Sequence, residues 1–198
     1  MSEICNASSY FSRLSETIAT LPFAAMNQIA EILLDAHDKG RMVYLFGNGG
    51  SAALASHFAC DLSKGTINGS GKRFRALALT DNVPLITAWS NDSKYEDIFG
   101  EQLTNLVQRD DVALAISGSG NSPNVLRALR VAREAGAITV GLTGYQGGKM
   151  KELCDQCMIV PSDNMQIIED IHVCVAHAVF TAVRTRLLQR SEAAVAAD

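Results

Sequence analysis

Phe11, Leu14, Ile18 and Leu21 recur at spacings of three and four, which predicts an amphipathic helix over residues 8–21. Pro22 interrupts it, and a second helix is expected over 23–36 with Gly40 as its stop signal. The pattern then changes to short apolar runs at 42–46, 74–79, 112–116, 138–142 and 158–160. Each is strand-length, and helical stretches are expected between them at 54–62, 95–108, 124–135 and 149–153. Continuous rather than alternating apolar strands imply burial on both faces. The fold class is therefore α/β, a doubly wound, five-stranded parallel sheet between helices, with flavodoxin-like order 2-1-3-4-5.

A last helix is expected over 165–189, about 37 Å long at about 1.5 Å per residue. Its Ile168, Ile171, Val175, Val179, Val183 and Leu187 make a deep apolar face, and because a helix that long outruns a single small sheet, a subunit partner is expected along it. The Ala-rich tail after Arg190 is expected to fray. No linker or repeat divides the chain, so 1–198 reads as one domain: helices at 8–36, a sheet core at 42–160, and the C-terminal helix.

Composition narrows the classes. The chain has 198 residues, 17 Lys and Arg against 21 Asp and Glu, and a formal net charge of −4. That balance disfavours direct nucleic-acid binding. No stretch approaches the ~18 uninterrupted apolar residues of a spanning helix, so no membrane partner is expected. The N-terminus lacks a signal peptide's basic start. An odd count of 5 cysteines in a chain that needs no staples fits a reducing, cytoplasmic setting.

Two loops carry candidate chemistry. Gly47-Asn48-Gly49-Gly50-Ser51 follows the first strand and opens a helix, where free N–H groups and the helix dipole favour an anion. Its spacing is neither the dinucleotide fingerprint nor a Walker A loop. Ser117-Gly118-Ser119-Gly120-Asn121-Ser122 follows the third strand and precedes Pro123 at a helix start. Its hydroxyl density exceeds what turn chemistry needs and suits a phosphate monoester. In the expected strand order both loops converge at the topological switch.

Further candidates lie on helices. His57 and Asp61 are four apart and share a face, which makes them half of a divalent metal site. Glu169 and Asp170 both precede His177 by about two turns, and periodicity does not choose between them. His172 reads as part of a polar face and His37 as a helix-end charge partner. Cys60 and Cys174 are read as packing residues. Cys154-Asp155-Gln156-Cys157 has redox or zinc-pair spacing, but no second CxxC accompanies it, and it is read as packing at the entry to strand five. Trp89 and Tyr95 are expected to wall a pocket around Asn91 and Asp92.

The two loops, with Asn91-Asp92 between them, resemble the sugar isomerase (SIS) domain, and within it the phosphoheptose isomerases. The resemblance covers roughly residues 10–188. It implies conversion of sedoheptulose 7-phosphate to D-glycero-D-manno-heptose 7-phosphate, a homotetramer with terminal helices at its interfaces, and active sites shared between subunits. It implies zinc at His57, Asp61, Glu169 and His177, with Asp61 as base and His177 as acid/base. Substrate contacts are implied at Asn48, Gly49, Gly50, Ser51, Asn91, Asp92, Ser117, Gly118, Ser119, Ser122 and Glu169.

Three positions depart from that pattern: Asp61 replaces a usual Glu, Glu169 a usual Gln, and Gln166 a usual Asp. A basic substrate contact is expected among Lys64, Lys72, Arg73 and Arg75. The alternatives are another ketose phosphate, or a non-catalytic SIS module such as a sugar-phosphate regulator or a DnaA-binding adaptor.

Overall fold

The computed structural model of the chain describes residues 4–67 and 72–195. Five parallel strands, β1 (Met42–Gly47), β2 (Arg75–Ala78), β3 (Val112–Ser117), β4 (Ile138–Thr143) and β5 (Gln156–Ile159), form one sheet in the order β2-β1-β3-β4-β5. That is the expected topology. Strand five begins two residues earlier than the apolar run suggests, because Gln156 and Cys157 already pair with Val140 and Gly141.

Both sheet faces are covered, as the continuous apolar strands require. Val43, Leu45, Leu114, Ile116, Val140 and Leu142 point into one core, shared with α2 (Phe23–Lys39), α3 (Gly50–Cys60) and α8 (Met165–Val195). Tyr44, Phe46, Ala113 and Ala115 face the other, filled by α5 (Gly100–Leu106) and α6 (Pro123–Glu134). The small Ala113 and Ala115 let α6 approach the sheet closely.

The N-terminal α1 (Ala7–Ile18) is capped by Asn6, whose side chain accepts the Ser9 N–H at 2.9 Å while Ser9 Oγ accepts the Asn6 N–H at 3.2 Å. Helix α2 runs past the expected end to Gly40, whose φ of +67° supplies the left-handed stop. Phe11 and Ile18, half of the predicted α1 stripe, are exposed on this chain, as is Phe23.

Other boundaries differ. A helix α4 (Val83–Asp92) was not expected, and the helix predicted over 95–108 is a 3-10 turn (Tyr95–Asp97) followed by α5. No residue of α4 is buried, so no apolar periodicity announced it. Asn91 and Asp92 therefore lie in the last turn of a helix rather than in a loop. Helix α8 continues to Val195, six residues beyond its expected end and into the Ala-rich tail; 196–198 lie outside the described residues.

The predicted apolar face of α8, from Ile168 to Leu187, is fully buried within this chain. Within the chain, α2 and the sheet cover that face. Arg186 and Arg190 of α8 pair with Glu31 (2.5 Å) and Asp38 (2.8 Å) of α2. By length and composition Met165–Ala193 could cross a membrane, but its apolar side is the core contact just described.

Two histidines are buried: His37, which keeps its expected place at a helix end with Nδ1 3.5 Å from Asp38 Oδ1, and His172, which is a core residue and not part of a polar face. The His37 ring packs at a tilt against Phe74, ring centroids 5.0 Å apart. His172 is 1% exposed and hydrogen-bonds the Thr143 carbonyl through Nε2 at 3.1 Å, tying α8 to the end of β4. Burial pushes its pKa from 6.5 down to about 4, and the Thr143 hydrogen bond opposes that only in part. The unfolded chain therefore takes up this proton near pH 6.5 while the folded chain refuses it until about pH 4. This contribution is complete above pH 6.5 and is lost as pH falls through that window. We expect stability to drop by about 2 kcal/mol between pH 7 and pH 5 from this residue alone. Urea unfolding of the parent and His172→Gln at both pH values checks it: the variant should lose most of that pH difference.

Candidate active site

The loops 47–51 and 117–122 sit at the carboxyl ends of β1 and β3, which are neighbours, with Gly47 opposite Ile116. They meet at the switch point, the place where open α/β sheets bind ligands. Gly47 must lack a side chain, because a Cβ there would come within 2.6 Å of the Ile116 carbonyl oxygen and 2.8 Å of Ser51 Cβ.

Asn48 is held by a reciprocal amide pair: its Nδ2 donates to Asn124 Oδ1 at 2.9 Å, and Asn124 Nδ2 donates back at 2.8 Å. Tyr95 OH donates to the same Asn48 oxygen at 3.0 Å. Sequence reading missed Asn124; its position one residue after Pro123, in the first turn of α6, was the available signal. Asp97, buried, is ion-paired with Arg127 (Nε to Oδ1 2.7 Å) and accepts from the Ser93 hydroxyl, so the Tyr95 turn is fastened to α6.

The second loop is built for close approach. Gly120 has φ +64°, and a Cβ there would collide with the Gly147 carbonyl oxygen. At Gly118 it would lie 2.5 Å from Met165 Sδ, so the first turn of α8 lies directly against this loop. Ser117 Oγ and Ser122 Oγ are 3.2 Å apart. Ser122 is the N-cap of α6 without using its side chain to cap; Pro123 has no N–H and the Val125 N–H is held by Asn124 Oδ1 at 2.9 Å, so this helix start offers an anion the paired serine hydroxyls and the Asn124 N–H.

About seven residues along α3, His57 meets His177 of α8, their Nε2 atoms 2.9 Å apart. Asp61 Oδ2 is 3.3 Å from His57 Nε2 and 4.0 Å from His177 Nε2. Asp61 opens a π-helical turn (Asp61–Gly65) that continues α3, and such turns recur at functional sites. Gly65 closes the turn, where a Cβ would collide with the Phe180 ring; α3 and α8 therefore run close enough to bring the triad together.

The three ligand atoms lie within 4.8 Å of one another. Glu169 is not in that group: its carboxylate lies over Gly50, 3.6 Å from where a Cβ would stand, at the start of α3. Asp170 is engaged elsewhere, accepting the Tyr10 hydroxyl at 2.6 Å, and burial with this bond raises the tyrosine pKa to about 12. Structure thus separates the two acids that periodicity left equivalent.

Asn91 and Asp92 bond to each other (2.8 Å) and are exposed. Of the basic candidates, Arg75 donates to the Gly40 carbonyl at 3.0 Å and Lys72 to the Asp38 carbonyl, at the sheet end opposite the loops. Lys64 shares the π-helical turn with Asp61, and Arg73 is exposed beside β2; residues 68–71 of that stretch lie outside the described residues. Cys60 and Cys174 are exposed, which corrects their reading as packing residues. A further group was not anticipated: the Ser56 hydroxyl contacts Thr80 Oγ1 (3.0 Å) and donates to Asp81 at the end of β2.

The SIS domain family matches residues 8–144. A phosphoheptose isomerase from Bradyrhizobium sp. is 38% identical over 188 residues, covering 95% of this chain and 93% of that protein. The chain belongs to the SIS-domain family, among the phosphoheptose isomerases. Among solved structures, the phosphoheptose isomerase from Neisseria gonorrhoeae superposes with a TM-score of 0.82 at 30% identity, covering 90% of this SIS-domain chain and 96% of that one. The phosphoheptose isomerase from Francisella tularensis gives 0.82 at 31% identity, covering 93% and 100%.

Proposed function

We propose that this SIS-domain protein is an aldose–ketose isomerase that interconverts sedoheptulose 7-phosphate and D-glycero-D-manno-heptose 7-phosphate through an enediol. The observation that carries the reading is the convergence of His57, Asp61 and His177 within 4.8 Å, on α3, which begins at the 47–51 loop, and α8, whose first turn lies against the 117–122 loop. Family membership supplies the sugar.

The 117–122 loop holds the phosphate through serine hydroxyls and backbone N–H groups, which explains how an acidic chain binds an anion. Asn48, fixed by Asn124 and Tyr95, and Glu169 over Gly50 are placed to receive sugar hydroxyls. Asn91, Asp92, Gly49, Gly50 and Ser51 complete the proposed substrate contacts. Asp61 removes the C1 proton of the ketose, and His177 exchanges a proton with the neighbouring sugar oxygen. Enediol collapse with protonation at C2 gives the aldose.

The donor set fits a divalent cation: two imidazole Nε2 atoms and one carboxylate oxygen converge, the three-ligand pattern of catalytic zinc. Zinc held by His57, Asp61 and His177 would polarise the sugar oxygens and stabilise the enediolate. The reading includes a homotetramer with shared sites, supported by the exposed Phe11, Phe23 and Val83 and by a triad whose histidines are half-exposed on one chain.

The test is turnover of a ketose phosphate panel by pure protein, as isolated, after chelation, and with zinc restored. Conversion of sedoheptulose 7-phosphate, lost on chelation and recovered with zinc, is expected. No turnover under any metal condition would overturn the reading.

A further inference from the structure

Helix α7 (Met150–Leu153) is a single turn whose two ends touch different chemistry. At its start, the Met150 N–H donates to the Gly120 carbonyl at 3.0 Å and the Lys149 N–H donates to Asn121 Oδ1 at 3.1 Å. At its end comes Cys154, with Cys157 three residues on in β5.

Cys157 lies opposite Gly141 of β4, and the bare glycine makes a recess under both thiols. A Cβ on Gly141 would stand 2.8 Å from Cys154 Sγ and 3.2 Å from Cys157 Sγ, so the two sulfurs point at one spot. Both thiols are only partly buried. The hydrogen bond between them, with Lys151 close by, lowers the Cys157 pKa and raises that of Cys154. That is the asymmetry of an attacking and a resolving thiol. The packing role read from the sequence does not call for two sulfurs in one recess.

We propose that Cys154 and Cys157 form a thiol–disulfide exchange site that takes a small-molecule disulfide, and that its oxidation acts through α7 on the 117–122 loop. The Cys157 thiolate attacks one sulfur of the incoming disulfide. A Cys157–sulfur bond forms, the S–S bond breaks, and one thiolate leaves. Cys154 then gives up its proton to solvent and attacks Cys157 Sγ, expelling the second thiolate and closing the intrachain disulfide. Two protein thiols are oxidised and one disulfide is reduced to two thiols. Closure at Cys154 pulls on the end of α7, and only three helical residues separate it from Met150, whose N–H contacts Gly120. The functional consequence rests on reading that loop as the phosphate site, but the exchange chemistry and the loop response do not.

The experiment treats the full chain with graded ratios of oxidised to reduced glutathione. It then maps alkylated peptides by mass and follows backbone hydrogen exchange in the 117–122 segment. The expected result is a 154–157 peptide lighter by two hydrogens and restored by dithiothreitol. Cys154→Ser should trap glutathione on Cys157, whereas Cys157→Ser should leave residue 154 unmodified. Amide exchange in the 117–122 segment should change at least threefold on oxidation in the parent, and in neither variant. A pair that stays reduced in the folded protein overturns the exchange site. An oxidised pair with unaltered loop exchange overturns the coupling. Sugar turnover enters neither readout, so a failed isomerase assay is a separate result.

Discussion

Replacing Asp61 by Asn should lower kcat/KM for sedoheptulose 7-phosphate by about 10³-fold, within the range for loss of a general base. The amide has nearly the same shape and can still reach His57 Nε2, now 3.3 Å from Asp61 Oδ2. What it loses is the ability to accept a carbon-bound proton. His177→Ala should cost a similar factor by removing the proton donor on the opposite helix. Both side chains are partly exposed, and neither fills the core. Folding stability should therefore stay within about 0.5 kcal/mol of the parent, as for surface substitutions in general. Steady-state kinetics beside urea unfolding separate the two effects. A large stability loss in Asp61→Asn would mean the triad is a structural tie.

Gly120→Ala should do the opposite, failing in structure and binding together. At φ +64° any side chain costs about 1–2 kcal/mol. Here the added Cβ would also collide with the Gly147 carbonyl oxygen and stand 2.8 Å from Thr143 Oγ1. Neither neighbour is a flexible chain end, so the 117–122 loop must move. We expect a total loss of about 2–4 kcal/mol, the range for strain plus buried collision, and a KM for the sugar phosphate raised at least tenfold. Gly49→Ala is the control. Its φ is +56°, but nothing stands within 4 Å of the added carbon. With ψ at −122°, outside the left-handed helical well, it should pay backbone strain alone, about 1–3 kcal/mol.

Much of the fold was legible because apolar runs on both faces leave few alternatives to a helix-covered parallel sheet. Strand order and the meeting of the two loops followed from that. Helix α4 was not legible, since none of its residues is buried on this chain and periodicity reports only a face that packs. The π-helical turn at Asp61 escaped as well: its last residue, Gly65, packs against Phe180, a tertiary contact that periodicity does not report.

At the site, spacing alone put His57 and Asp61 on one face, and family resemblance singled out Glu169 and His177. Only the three-dimensional arrangement placed Glu169 over Gly50, apart from the triad, and tied Asp170 to Tyr10. The core position of His172 was equally hidden. Its neighbour in space, the Thr143 carbonyl, is 29 residues away in the chain.

Proton transfer at the His57–Asp61–His177 cluster is tested most directly by incubating sedoheptulose 7-phosphate with the zinc-loaded protein in D2O and following the sugar by NMR. The parent should form heptose 7-phosphate carrying solvent deuterium at C2, while Asp61→Asn, equally folded, should yield neither product nor label. Recovery of the ketose unchanged and unlabelled from the folded parent would contradict the account.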